Sequence, residues 1–259
     1  MTTQTATVGT RENPRRIVLE RVTAMRLARD EYARVADAVV GLAPEQWSLP
    51  TDCPKWDVRE LVAHICGMAA MAATPWETNR QLKAADKEVA RTGVAQIDAL
   101  TGLQVSERAS KTPEELTAEM RSVGPKAARG RRLTPFFIRN RRLPEEQSMD
   151  GVSEWWTIGY LLDVVLTRDP WMHRIDLSRA TGNELVLTAD HDGVIVDDVV
   201  REWASRHGKP YRLTLTGPAG GTWSTDDDGE HLELDAIEFC RILSGRAPGE
   251  GLLKTKVPF

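Results

Sequence analysis

Asp169 and His173 stand four residues apart in an apolar helical stretch. That spacing puts two side chains on one helix face a turn apart, where both can grip one metal ion. A second helix offers a third ligand. His64 lies on the edge of the apolar stripe formed by Val58, Leu61, Ile65, Met68 and Ala72. Two imidazoles and one carboxylate leave coordination positions open for water or a substrate, the mark of a catalytic rather than a structural metal site. A plainer reading stands beside this one. A histidine on an apolar face is often only a satisfied core residue, and Asp169 before Pro170 has the form of a helix N-cap. The remaining histidines, His191, His207 and His231, fall in turns or beside a helix-ending glycine and read as surface residues. Cys53, Cys66 and Cys240 form neither a disulfide framework nor a CxxC pair, and Cys66 reads as a buried thiol.

The elements that must position these groups are mostly helices. Residues 17–40 alternate apolar and charged side chains at helical spacing and close at Gly41. A loop with prolines at 44, 50 and 54 and tryptophans at 47 and 56 follows, and its aromatics predict that it packs down as an ordered segment. Asp57 and Glu60 then form a capping box, with Trp56 in the staple position before it, and the helix they open carries His64. A helix to about Arg91, a glycine break and a further helical stretch come next. Thr112-Pro113-Glu114-Glu115 marks another start, for a helix reaching about Val123. From Val152 a fourth long pattern runs to Gly182, with Pro170 inside it either kinking the helix or opening a new segment. After Gly182 the texture changes to short alternating runs: a strand over 184–188, a helix over 193–207, three strands between 211 and 235, and a last helix over 235–244.

The whole is a soluble α+β chain of two domains. Length fits one large domain or two modest ones, and 259 residues with 41% apolar side chains suffice for a core. The reading is a flexible tail over 1–16, a helical bundle over 17–182 and a small α+β domain over 183–259. A net charge of −4 supplies no global basic field for nucleic acid or an anionic membrane. The polar N-terminal segment and the lack of a long apolar run predict a cytoplasmic protein. Residues 121–143 hold eight basic side chains and no acidic one. They admit a phosphate- or RNA-binding loop, an anion-attracting rim or a solvated linker, and the linker is the reading preferred.

The segment TDCPKWDVRELVAH at 51–64 resembles the opening hallmark of the mycothiol-dependent maleylpyruvate isomerase family, part of the DinB-like superfamily of metal-binding four-helix bundles. RDPWMHRIDLSRA at 168–180 is similar to the family's second hallmark, in which an acidic residue precedes a histidine by four. LTGPAGGTWS at 215–224, FCRILSGR at 239–246 and the closing VPF resemble its small C-terminal domain, related to the sterol carrier protein type. The resemblance runs from about residue 20 to the end. It implies a DinB-like bundle whose metal ligands are His64, Asp169 and His173, with zinc as the usual ion. Asp169, followed directly by Pro170, is a departure, since the family commonly has Glu there. A composition of 26 arginines against 8 lysines fits a GC-rich actinobacterial genome, where mycothiol is the main small thiol.

What the resemblance implies chemically is a metal that keeps a low-molecular-weight thiol, mycothiol, as its nucleophilic thiolate. In an isomerase the thiolate would add to the cis double bond of maleylpyruvate, allow rotation and leave; in an S-transferase it would stay attached. Either path develops negative charge on the substrate, for which Arg174, Arg241 and Arg246 are the candidate cations, each also readable as a surface ion pair. Asp176 could orient a ligand imidazole or as easily pair with Arg179 or Arg174 on the helix surface. Trp155, Trp156, Tyr160 and Trp171 could wall a pocket, although core packing is the commoner use. The expected partners are mycothiol and a small electrophile, with no nucleic acid and no membrane, and the chain is a monomer or a homodimer. The alternative is a non-catalytic DinB-like protein that binds a metal or small ligand.

Overall fold

The computed structural model describes residues 10–15, 18–149, 151–225 and 228–259. In chain order it contains β1 (Thr10–Arg15), α1 (Arg21–Val40), α2 (Val58–Ala73), α3 (Pro75–Thr92), α4 (Gln96–Ser106), α5 (Pro113–Leu133), α6 (Phe136–Arg139), β2 (Gln147–Met149), β3 (Val152–Trp156) and α7 (Ile158–Tyr160). A π-helical turn over Leu161–Val165 precedes α8 (Leu166–Thr181), and α9 (Val194–His207), β4 (Tyr211–Thr216), β5 (Gly221–Ser224), β6 (Glu230–Asp235) and α10 (Ala236–Leu243) follow. The α+β class holds. Among the described residues, no helix is long and apolar enough to cross a membrane.

The compact units do not follow a single boundary near residue 183. One unit holds 21–134 and 166–186; the other holds the described residues of 1–20, 135–165 and 187–259. In the first, α2 packs on α5, α5 on α1, α1 on α8 and α8 on α2, a closed ring of four helices, with α3 and α4 against α2. Its core includes Val35, Leu61, Ile65, Leu116, Met120 and Leu177. The buried side of α1 is Ala24, Leu27, Ala28, Glu31, Tyr32, Val35 and Val39. Val18 and Val22, expected on that stripe, are exposed, because Val22 lies two residues and about 200° from Ala24. Ile17, the expected helix start, lies outside the described residues. Both capping boxes form: Asp57 accepts from the Glu60 N–H while Glu60 accepts from the Asp57 N–H, and Thr112 and Glu115 do the same. The α3 helix ends at Gly93, whose φ of 73° is open to glycine at no steric cost.

In the other unit, β3 lies between β1, parallel to it, and β2, antiparallel. The second sheet has the order β5-β4-β6, with β4 antiparallel to β5 and parallel to β6. Four expectations need correction. Residues 10–15, assigned to a flexible tail, form a strand on β3, while residues 1–9 lie outside the described residues. Residues 152–156, assigned to a helix, are that central strand; the helix begins only at Ile158, where the Thr157 hydroxyl accepts from the Tyr160 N–H. Residues 184–188 form no strand, since the Val186 carbonyl accepts from the Arg174 and Arg34 guanidiniums instead of a ladder. The basic run is no linker: α5 continues to Leu133, Arg131 is fully buried, and Arg139 is buried in an ion pair with Asp163.

Candidate metal centre

The loop over 49–57 is tied to itself before α2 begins. The Thr51 hydroxyl donates to the Trp56 carbonyl at 2.8 Å and accepts from the Cys53 N–H, and the Trp56 N–H returns to the Cys53 carbonyl at 2.9 Å. This turn holds the Trp56 ring against His64, centroids 4.7 Å apart at 30°, and brings Cys53 to His173. The Asp57 cap fixes the first turn of α2, so His64 in its second turn faces inward and is buried. From α8 come Asp169 and His173. Pro170 does not open a new segment: α8 is continuous through it, Asp169 is no N-cap, and Asp169 and His173 share one face.

The three side chains converge. His64 Nε2 lies 3.4 Å from Asp169 Oδ1, and His173 Nε2 lies 3.5 Å from the same oxygen. The imidazole rings meet edge to face at 5.1 Å. Zinc bonds of about 2.0–2.2 Å in a tetrahedron set ligand atoms about 3.3–3.6 Å apart, so these separations suit one small divalent ion. Asp169 Oδ2 is buried without a hydrogen-bond partner, a state that a metal or a protonated ligand would relieve. Burial pushes the Asp169 carboxyl up, but the opposing influences, led by the His173 imidazole, hold the group well below the usual carboxylate range. The aspartate, one methylene shorter than glutamate, still reaches both imidazoles.

Each imidazole is held at its far nitrogen. His173 Nδ1 is 2.9 Å from Asp176 Oδ2, which also accepts from the Cys53 thiol at 3.6 Å. Asp176 is fully buried against the His173 ring, where it could orient that imidazole. His64 Nδ1 is 2.8 Å from Gln104 Oε1. The sequence reading missed Gln104, Cys53 and the stacking of Trp56. An amide on the buried face of α4 was the available signal for the first.

Pro170 has no N–H for the Leu166 carbonyl four residues before it. Arg131 takes that place: its Nη1 donates to Leu166 O at 2.9 Å and its Nη2 to the Thr167 hydroxyl. The helix that carries Asp169 is therefore completed from α5. Arg174, a candidate cation, is buried and committed elsewhere, with Nε and Nη2 on the two Glu31 carboxylate oxygens at 2.8 and 3.3 Å and Nη1 on the Val186 carbonyl. Its chemistry is to clamp α1 to α8. Arg241 and Arg246 belong to the other unit, where Arg241 pairs with Glu238 at 2.5 Å. Of the aromatics, Trp171, Trp156 and Tyr160 are buried, and Trp155 lies under the Arg142 guanidinium at 5.5 Å.

Residues 28–178 match the sequence profile of the mycothiol maleylpyruvate isomerase N-terminal domain. Among solved structures, a mycothiol-dependent maleylpyruvate isomerase aligns at 16% identity with a TM-score of 0.56, covering 88% of this chain and 90% of the other. A histidine-to-alanine mutant of a mycothiol-dependent maleylpyruvate isomerase aligns at 14% identity with the same TM-score of 0.56 and the same coverage, 88% and 90%. None of the curated proteins compared with the chain matches it. With the profile spanning more than half of its length, the chain belongs to the mycothiol maleylpyruvate isomerase N-terminal domain family.

Proposed function

We propose that this protein is a metal- and thiol-dependent enzyme of the maleylpyruvate isomerase type, acting as an isomerase or S-transferase on a small electrophile with mycothiol as cosubstrate. The observation that carries the proposal is the pair of separations, 3.4 and 3.5 Å, between one Asp169 oxygen and the Nε2 atoms of His64 and His173. These three residues would hold a divalent metal, with zinc the ion their N,N,O chemistry suits. The bound metal would supply the positive charge that keeps a thiol ionised at neutral pH.

Everything else falls to the chain. Asp176 and Gln104 fix the two imidazole planes, and Trp56 stacks on His64 and shields that face from water. Asp169 is the most accessible of the three proposed ligands, at 13% against 3% for His64 and 7% for His173. Negative charge developing on the substrate calls for a cation. Arg174, held by Glu31, is not free to be that cation.

Metal content of the purified protein tests the first step. We expect near-stoichiometric zinc that is lost in His64→Ala; a metal-free protein whose thermal stability is unchanged in that variant would overturn the site. Incubation with mycothiol and either maleylpyruvate or a panel of electrophiles, followed by isomerisation and thiol consumption, tests the second. Turnover abolished in His173→Ala supports the enzyme, and zinc binding without any turnover assigns the chain to the non-catalytic alternative.

A further inference from the structure

The two glutamines behind His64 are both completely buried, and burying an amide costs free energy unless each of its donors and acceptors is met. Their accounts close in only one orientation. Gln81 Nε2 donates to the Gly67 carbonyl at 3.1 Å and to Glu77 Oε1 at 2.9 Å. Both partners only accept, so turning this amide over would set oxygen against two oxygens. Glu77 is itself anchored by Arg80, whose Nε and Nη2 reach its two carboxylate oxygens at 2.8 and 2.6 Å, and that guanidinium holds the Glu77 carboxyl below the usual range. Gln81 must therefore present its oxygen to Gln104. Gln104 answers with its Nε2, 2.9 Å away, and spends its other N–H on Met68 Sδ at 3.1 Å. Its oxygen is left for His64 Nδ1. An acceptor there requires a proton on Nδ1.

We propose that Gln81 and Gln104 are positioning residues, a directional relay that carries the polarity of Glu77 to His64, places the ring proton on Nδ1 and leaves the Nε2 lone pair facing Asp169 and His173. The relay rests on the metal reading above for its purpose, since Nε2 must be unprotonated to bind a metal. Gly67 makes the arrangement possible. A Cβ at that position would stand 2.5 Å from Gln104 Cβ and 2.6 Å from its Cγ, so only glycine lets α4 come close enough for Gln104 to reach the histidine.

The test inverts the polarity and then restores it. Gln104→Met keeps the volume and removes the acceptor, and we expect zinc affinity, measured by chelator competition, to fall about 10- to 100-fold. Gln81→Lys sets an ammonium donor against Gln104, turns that amide so that its NH2 faces His64, and moves the ring proton to Nε2; its loss should be at least as large. Adding Gln104→Glu to Gln81→Lys gives a carboxylate that accepts from both neighbours, and affinity should return to within about tenfold of wild type. Imidazole nitrogen NMR of the zinc-free protein reads the tautomer directly, and the melting temperature of each variant shows that it is folded. Zinc affinities of folded Gln104→Met and Gln81→Lys equal to wild type, or a His64 protonated on Nε2 alone in the zinc-free wild type, would overturn the relay. A wild type that carries the proton on Nδ1 yet binds no zinc would leave the relay standing and overturn the metal reading.

Discussion

Replacing Arg131 and Pro170 together probes how α8 is kept whole where it carries Asp169. Arg131→Met removes the donors to the Leu166 carbonyl and the Thr167 hydroxyl, and a buried acceptor left without its donor costs about 1–3 kcal/mol. Against this stands relief from a buried cation, since burial pulls the Arg131 guanidinium down from its ordinary value. The two contributions are of similar size and opposite sign, so the single substitution does not decide the matter. The cycle does. Pro170→Ala supplies an N–H to the Leu166 carbonyl, which in the wild type is already met by Arg131 and in Arg131→Met is not. Pro170→Ala should therefore stabilise the Arg131→Met protein by about 1–2 kcal/mol more than it stabilises the wild type. Urea unfolding of the four metal-free proteins, followed by far-ultraviolet circular dichroism, gives the coupling. Additivity within about 0.5 kcal/mol would refute the reasoning, because neither residue would then be filling the other's gap.

Three further outcomes follow from the geometry. Asp176→Asn should weaken zinc binding about 10- to 100-fold in a chelator competition while Cys53→Ser, which keeps a donor to Asp176, should leave it near wild type. Gly130→Ala should destabilise the protein by about 1–3 kcal/mol in thermal unfolding, since the new Cβ would stand 2.4 and 2.5 Å from the backbone oxygens of Ala72 and Ala73. Glu154 is desolvated, which pushes its carboxyl up, but the Trp156 N–H and the Arg206 and Arg15 guanidiniums prevail and bring it below the ordinary value. Its stabilising contribution is thus present above the unfolded value of about 4.3 and lost as pH falls through the lower folded value, and Glu154→Gln should flatten the melting-temperature profile over that acid range.

What could be read beforehand was what local chemistry decides. The Asp57 and Thr112 capping boxes, the αL glycine ending α3 and the inward face of His64 each depend on residues within one or two turns of each other. Asp169 and His173 were legible for the same reason, four residues on one helix. The strand β3 was not, because its partner β1 lies more than 130 residues earlier and periodicity carries no trace of it. Arg131 was hidden in a run of basic side chains, where nothing local distinguishes the one that Pro170 of another helix draws inward. For the glutamines the sequence offered at most an amide on the buried face of α4; which way each amide faces is legible only once both of its neighbours are known.

The separation of His64 from Asp169 by 105 residues sets a schedule for the newly made chain. At a synthesis rate of about 5–20 residues per second, the first ligand leaves the peptidyl-transferase centre roughly 5–20 s before the second is even made. During that interval α1, α2 and α5 can associate, since all are complete before residue 134, but the fourth wall of the ring and two of the three proposed ligands are missing. A metal ion captured early would meet one imidazole and could not be retained. If the proposed centre takes up a metal, loading would come after α8 docks, which would make ion choice a matter of what the cell offers a finished protein rather than a nascent one.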